Sequence, residues 1–302
     1  MDDKIQGWVN LYKPAGISSF SAIYKVKKKF NIKKIGHAGT LDPSAEGILP
    51  IAINKATKLI PFVGSNLKEY KFKIKWGQQT STDDSEGEIL ECSHNIPKEN
   101  EIKKVLTFFL GYTEQIPPKA SAIKVNGKRA YAILRKKKDF SLMSRKVFLK
   151  SISLISSNEE NADFLIECGK GFYVRSLARD IAHRLETFGH VIRLKRIKVG
   201  NFSNKSSILL DDLLKIGQSE FEFNFIYSSI SMLDDILAYE IEKESDLTDL
   251  SLGKKIFINH KKLIKKTLSS DNKTFVFLSN KGNIVSFGEL TGDLFQPHKV
   301  LT

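Results

Sequence analysis

The chain has 302 residues, 41% hydrophobic and 27% charged, which supplies a sizeable core and excludes a wholly disordered protein. Forty-eight Lys and Arg stand against 34 Asp and Glu, a net charge of +14, and such an excess points to nucleic acid or an anionic membrane surface. There is no apolar run long enough to span a bilayer, and Cys92 and Cys168 form no CxxC pair, so neither a membrane span nor a disulfide or zinc framework is expected.

In chain order, "MDDKIQGWVN" starts acidic and lacks an apolar signal core, so a cytoplasmic protein is expected. Residues 8–14 read as a strand stopped by Pro14. Residues 18–30 read as a helix capped by Ser18 or Ser19, with Ile23, Val26 and Phe30 at helical spacing. "ILPIAINKATKLIPFV" reads as a strand and a short helix. In residues 69–76, Tyr70, Phe72, Ile74 and Trp76 alternate with Lys71, Lys73 and Lys75, the pattern of a half-buried strand with a cationic outer face.

Residues 97–111 read as a helix ended by Gly111, and Asn126-Gly127 as a turn between a short strand and a basic helix. "DFLIECGKGFYVRSLARDIAHRL" reads as a strand, a glycine-bracketed loop and a helix with Leu177, Ala178, Ile181, Ala182 and Leu185 on one face. A further basic strand follows in "HVIRLKRIKVGNF", and after about residue 238 the texture becomes short strands and turns. A boundary near residue 235 is therefore expected, with residues 1–235 as the main domain and 236–302 as a small β-rich one. The basic runs 135–138, 193–198 and 260–266, with "KVKKKFNIKK", are spread along the chain, which suits a distributed phosphate-contacting surface.

The stretch "GHAGTLDPSAEG", residues 36–47, carries the most chemistry. Pro43 biases Asp42 toward extended backbone, and three glycines allow close approach around it. On its own chemistry the stretch is either a turn or a presented carboxylate able to act as nucleophile or base.

Taken with "KEYKF", "GKGFYVRSLARD" and "HVIRLKR", in this order, the stretch resembles the bacterial tRNA pseudouridine-55 synthase (TruB-type) family. "LYKPAGISSFSAIYKVKK" and "QIPPKASAIKVNGKRAYAILR" resemble that family's opening segment and its insertion, and "FGELTGDLFQPHKVL" resembles its C-terminal end more faintly. Residue 120 is alanine where the family pattern has an aromatic. The resemblance implies an α+β fold with a mixed, mainly antiparallel central sheet flanked by helices. It also implies an RNA-contacting insertion at about 112–150 and a PUA-like C-terminal domain.

The activity it implies is isomerisation of a T-loop uridine of tRNA to pseudouridine on a flipped-out nucleotide. Asp42 would be the catalytic acid. His37 would displace or stack on loop bases, Tyr70 would stack on the flipped base, and Tyr173 and Leu194 would line the pocket. Arg175 would pair with Asp42 and hold it ionised. The partner would be the T arm of tRNA and the protein a monomer, with no metal and no organic cofactor, since no ligand cluster, P-loop or GxGxxG is present. Two alternatives remain: a glycosidase-like hydrolase using Asp42 with Glu46, and a non-catalytic tRNA-binding or folding module.

Overall fold

The computed structural model describes residues 5–65, 67–136, 138–233, 237–259, 262–263 and 274–301. The boundary expected near residue 235 lies outside the described residues, as does most of the basic run 260–266.

Strand β1 (Gly7–Lys13) ends ahead of Pro14, and helix α1 (Ser19–Lys29) starts behind Ser18, whose hydroxyl accepts the Ser21 N–H at 3.0 Å. Ala22, Ile23 and Val26 turn inward from α1. Strands β2 (Ile35–His37) and β3 (Glu46–Ile53) pair as an antiparallel hairpin around the loop 38–45, so the glycine-rich stretch is the connection of that hairpin. The helix expected next is a 3₁₀ helix, Asn54–Ser65, with Pro61 inside it; a residue without an N–H cannot continue an α-helical ladder.

Strand β4 (Lys68–Trp76) buries Tyr70, Phe72, Ile74 and Trp76, as its alternation requires. A small hairpin follows, β5 (Gln78–Thr80) and β6 (Ile89–Cys92). Helix α2 (Glu99–Leu106) ends earlier than its periodicity suggests, and Gly111 opens strand β7 (Gly111–Gln115) instead of closing the helix. The Asn126-Gly127 turn joins β8 (Lys124–Val125) to β9 (Lys128–Arg129), ahead of α3 (Ala130–Leu134).

Strand β10 (Arg145–Ser157) pairs with β11 (Asn161–Cys168), and α4 (Val174–Arg184) leads to β12 (Gly189–Val199). Short pieces complete this part: β13 (Phe202–Ser203), β14 (Ile208–Leu209), α5 (Leu210–Leu213) and α6 (Gln218–Asn224). The sheet has ten strands among the described residues, in the order β14-β1-β3-β12-β4-β11-β10-β7, with β2 on β3 and β13 on β12. Its pairings are antiparallel except β1–β14 and β3–β12, so the expected mixed, mainly antiparallel sheet is present.

One face of the sheet, with Val9, Leu11, Leu49, Ile51, Phe72 and Ile74, packs under α1 and α4. The opposite side of β1 and β3 turns Trp8, Ile48 and Ala52 into a second core shared with Phe277, Phe287 and Leu301. Phe277 and Phe287 come from a five-stranded sheet, and Leu301 follows its last strand; the sheet comprises β15 (Leu237–Glu240), then after α7 (Glu244–Ser251) β16 (Ile256–Phe257), β17 (Thr274–Asn280), β18 (Asn283–Thr291) and β19 (Leu294–Val300). Phe62 seals the contact, its ring 5.2 Å from Phe277 and 4.7 Å from Phe287 between centroids.

Candidate active site

Between the β2–β3 loop, β4, β12 and the start of α4 lies a cavity of about 290 Å³. Its walls include Leu41, Asp42, Tyr70, Tyr173, Arg175 and Leu194, so five of the six residues singled out in the sequence meet in one place. His37 sits on β2, outside the residues that line the cavity, and burial together with nearby Arg196 pushes its imidazole pKa down.

The loop that presents Asp42 is fixed from behind by buried polar side chains. Ser19, 2% exposed, donates to the Leu41 carbonyl and accepts from the Leu41 N–H, both at 2.9 Å. Gly16 N–H donates to the Pro43 carbonyl at 2.8 Å. Arg196, 1% exposed, donates to the carbonyls of Ile48 at 2.7 Å and Gly39 at 2.9 Å. Lys13 reaches the carbonyls of Pro14, Ile17 and, at 3.4 Å, Pro43; burial lowers its pKa to about 8. Gly47 closes the loop at φ +116°, and a Cβ there would stand 2.1 Å from the Arg196 carbonyl oxygen. A loop of this length in a hairpin is ordinarily free to move; these contacts on either side of Asp42 remove that freedom.

Asp42 itself meets Arg175, Nε to Oδ2 at 3.0 Å. Arg175 lies in the first turn of α4 and is 4% exposed. Its remaining nitrogens are spoken for: Nη1 donates to Asp84 Oδ2 at 3.0 Å and the Thr82 carbonyl at 2.9 Å, and Nη2 to the Ala120 carbonyl at 3.0 Å. Asp84 is held in turn by the Thr82 hydroxyl at 2.5 Å and the Glu86 N–H at 3.0 Å. A guanidinium held by three bonds through Nη1 and Nη2 presents Nε in one orientation, which is the preorganisation that electrostatic control of a carboxylate needs. Ala120 thus contributes to the site through its backbone carbonyl.

The pairing of Arg175 with Asp42 was expected to hold the carboxylate ionised. Desolvation, helped by the Asp84 charge, shifts the Asp42 pKa above the usual aspartate value, while Arg175 and Lys13 oppose the shift. Burial likewise raises the pKa of Tyr70 and of Tyr173, so both phenols stay protonated at neutral pH. Lys68 and Lys170 add cationic lining, and burial lowers the Lys68 pKa to about 8.

Asp42 is the only carboxylate among the lining residues described. Glu46, the second acid of the hydrolase alternative, turns away from the cavity and bonds the Tyr12 hydroxyl at 2.8 Å and Arg193 at 3.1 Å. Sequence reasoning missed Asp84, Ser19, Lys13 and the inward Arg196. For Arg196 a signal existed: period two along β12 puts Leu194 and Arg196 on one side and Arg193 and Lys195 on the other.

Comparison with known proteins places this geometry. The N-terminal domain model of the TruB family pseudouridylate synthases matches residues 27–174, and the tRNA pseudouridylate synthase B C-terminal domain model matches residues 175–238. A protein named tRNA pseudouridine synthase B from Ehrlichia ruminantium is 39% identical over 97% of this chain and 98% of its own length. One of the same name from Caulobacter sp. is 36% identical over 99% of this chain and 96% of its own. Among solved structures, an H/ACA ribonucleoprotein bound to a substrate RNA containing 2′-deoxyuridine superposes at a TM-score of 0.73 with 21% identity, covering 98% of this chain and 85% of that one, a likeness of fold. With relatives matched nearly end to end at this identity, the chain belongs to the TruB family of pseudouridylate synthases and is an isomerase.

Proposed function

We propose that the protein converts a T-loop uridine of tRNA, position 55, to pseudouridine, with Asp42 as the catalytic residue. The observation that carries this reading is a single carboxylate among the described lining residues, aimed by an arginine whose every nitrogen is engaged, in a site whose other charged lining is cationic. In the reaction the N1–C1′ bond breaks, the base turns, a C5–C1′ bond forms, and the proton lost from C5 is balanced by one gained at N1. The uridine must leave its stack to reach Asp42, at a cost of roughly a few kcal/mol.

The flipped base would stack on Tyr70 between Tyr173 and Leu194, while Lys68 and Lys170 offset nearby phosphate charge. His37, at the foot of the same loop, would meet the bases displaced with the target. The insertion at 112–150 and the five-stranded sheet, as a PUA-like unit within residues 236–302, would extend the RNA surface beyond the cavity. One chain supplies every group in this scheme, so a monomer suffices, working in the cytoplasm where tRNA is matured, and the scheme calls on no cofactor.

Position-resolved pseudouridine mapping of an unmodified tRNA transcript after treatment tests the reading. A single new pseudouridine in the T loop supports it. Modification confined to another arm overturns the assigned target, release of free uracil restores the hydrolase, and binding without any modification leaves an RNA-binding module.

A further inference from the structure

We infer that the outer face of α1 is a stacking platform for unpaired nucleotides beside the target uridine, an inference that rests on the proposed tRNA reading. The residues of α1 that face solvent are Phe20, Ser21, Tyr24, Lys25, Lys28 and Lys29. Phe20 is 70% and Tyr24 56% exposed, and their rings lie stacked with centroids 6.2 Å apart and planes 19° from parallel. Residues 20, 24 and 28 follow one row of the helix, so two aromatic rings and a lysine form a stripe about 12 Å long. The helix contains no acidic residue.

Position gives this stripe its meaning. Ser19 bonds Leu41 directly, Phe20 follows Ser19, and Asp42 follows Leu41. Phe20 and Asp42 are therefore each one residue from the same hydrogen-bonded pair, which bounds their Cα separation at roughly 14 Å. A nucleotide adjoining the one delivered to Asp42 is then within reach of this face.

Structural duties do not account for the rings. The inner face, Ala22, Ile23, Val26 and Phe30, already buries α1 in the core. Lysines in the last turn complement the helix dipole, which explains charge there and not aromatic rings at the first turn. A flat apolar pair flanked by cations is the combination that holds single-stranded bases, with the rings taking base faces and the lysines the phosphates.

The test is equilibrium binding of an unmodified T-arm stem-loop to the full chain carrying Phe20→Ala with Tyr24→Ala. A second variant, Phe20→Leu with Tyr24→Leu, keeps apolar bulk and removes the flat faces. Losing one stacked base weakens binding by roughly fivefold to 150-fold, so both variants are expected to bind at least about fivefold more weakly while melting as the wild type does. Affinity within twofold of wild type in both variants overturns the inference. So does unchanged RNA binding with lost binding to phosphatidylglycerol vesicles, which would assign the face to a membrane surface. Binding is read without turnover: a wild type that never isomerises tRNA refutes the proposed function, and weaker RNA binding by the variants would still support the platform.

Discussion

Replacing Ser19 with alanine removes a single hydroxyl at the point where α1 meets the loop carrying Asp42. Both the N–H and the carbonyl of Leu41 lose their partner, each from a distance of 2.9 Å in a site closed to water. An orphaned buried backbone group costs about 1–3 kcal/mol. Two on the same residue cannot both be repaired by one small shift, so a loss of about 3 kcal/mol is expected, lowering the melting temperature by roughly 5–10 °C.

The same shift moves the residue next to Asp42, and a misplacement of about 1 Å in a reacting group costs on the order of a hundredfold in rate. Single-turnover conversion of a T-arm RNA and calorimetry on the same preparation read both effects. Ser18→Ala is the comparison. It loses the helix cap to Ser21, worth about 1 kcal/mol, and leaves Leu41 untouched. A Ser19→Ala protein that is destabilised but turns over at the wild-type rate would refute the idea that these bonds place Asp42.

Other outcomes follow from the same geometry. The raised pKa of Asp42 means that the folded state holds its proton to higher pH than the unfolded chain does. Its contribution to stability is therefore present at low pH and is lost as pH rises through the folded pKa; Asp42→Asn should melt at or above the wild-type temperature at pH 8, with the difference closing in acid. The acid limb of the wild-type rate profile should accordingly lie above the ordinary aspartate value of about 3.9. Arg175→Lys cannot span Asp42, Asp84 and two carbonyls with one ammonium, so it should lose roughly 3 kcal/mol of stability and move the acid limb of the pH–rate profile upward. Gly47→Ala puts a Cβ 2.1 Å from the Arg196 carbonyl at a φ of +116°, and should give little soluble protein or a melting temperature lowered by roughly 5–10 °C, as a strain of about 3–5 kcal/mol produces.

The residues that touch the cavity were legible through the family resemblance of the segments that carry them. Local chemistry alone left Asp42 as a turn or a presented carboxylate, Tyr70 as a core aromatic of an alternating strand, and Arg175 as a surface cation after a glycine-bracketed loop. The residues behind them were not. Asp84 lies 91 positions from the arginine it grips, inside "TSTDDSEG", which reads as a turn between short strands. Ser19 competes with Ser18 for the role of helix cap, and only the packed structure shows one capping α1 and the other holding Leu41. Lys13 and Arg196 sit in cationic surroundings that suggest solvent or phosphate, and their burial depends on backbone carbonyls converging from two stretches, 14–17 and 39–48. Strand β10 escaped notice because its burial pattern mixes both faces along a strand bent by two register shifts. Charge balance in the site is equally non-local: the cation beside Asp42 was foreseen, and the opposing desolvation required knowing that the acid lines a cavity.

The central claim is that the Asp42 carboxylate performs the isomerisation. Its most direct test is to treat unmodified tRNA with wild-type protein and with Asp42→Asn under single-turnover conditions, and to measure pseudouridine at the T-loop position and RNA affinity in parallel. The account predicts full conversion by wild type and none by the asparagine protein, with RNA affinity within about threefold because the shape of the cavity and its cations remain. Conversion by Asp42→Asn at a rate within tenfold of wild type would contradict it.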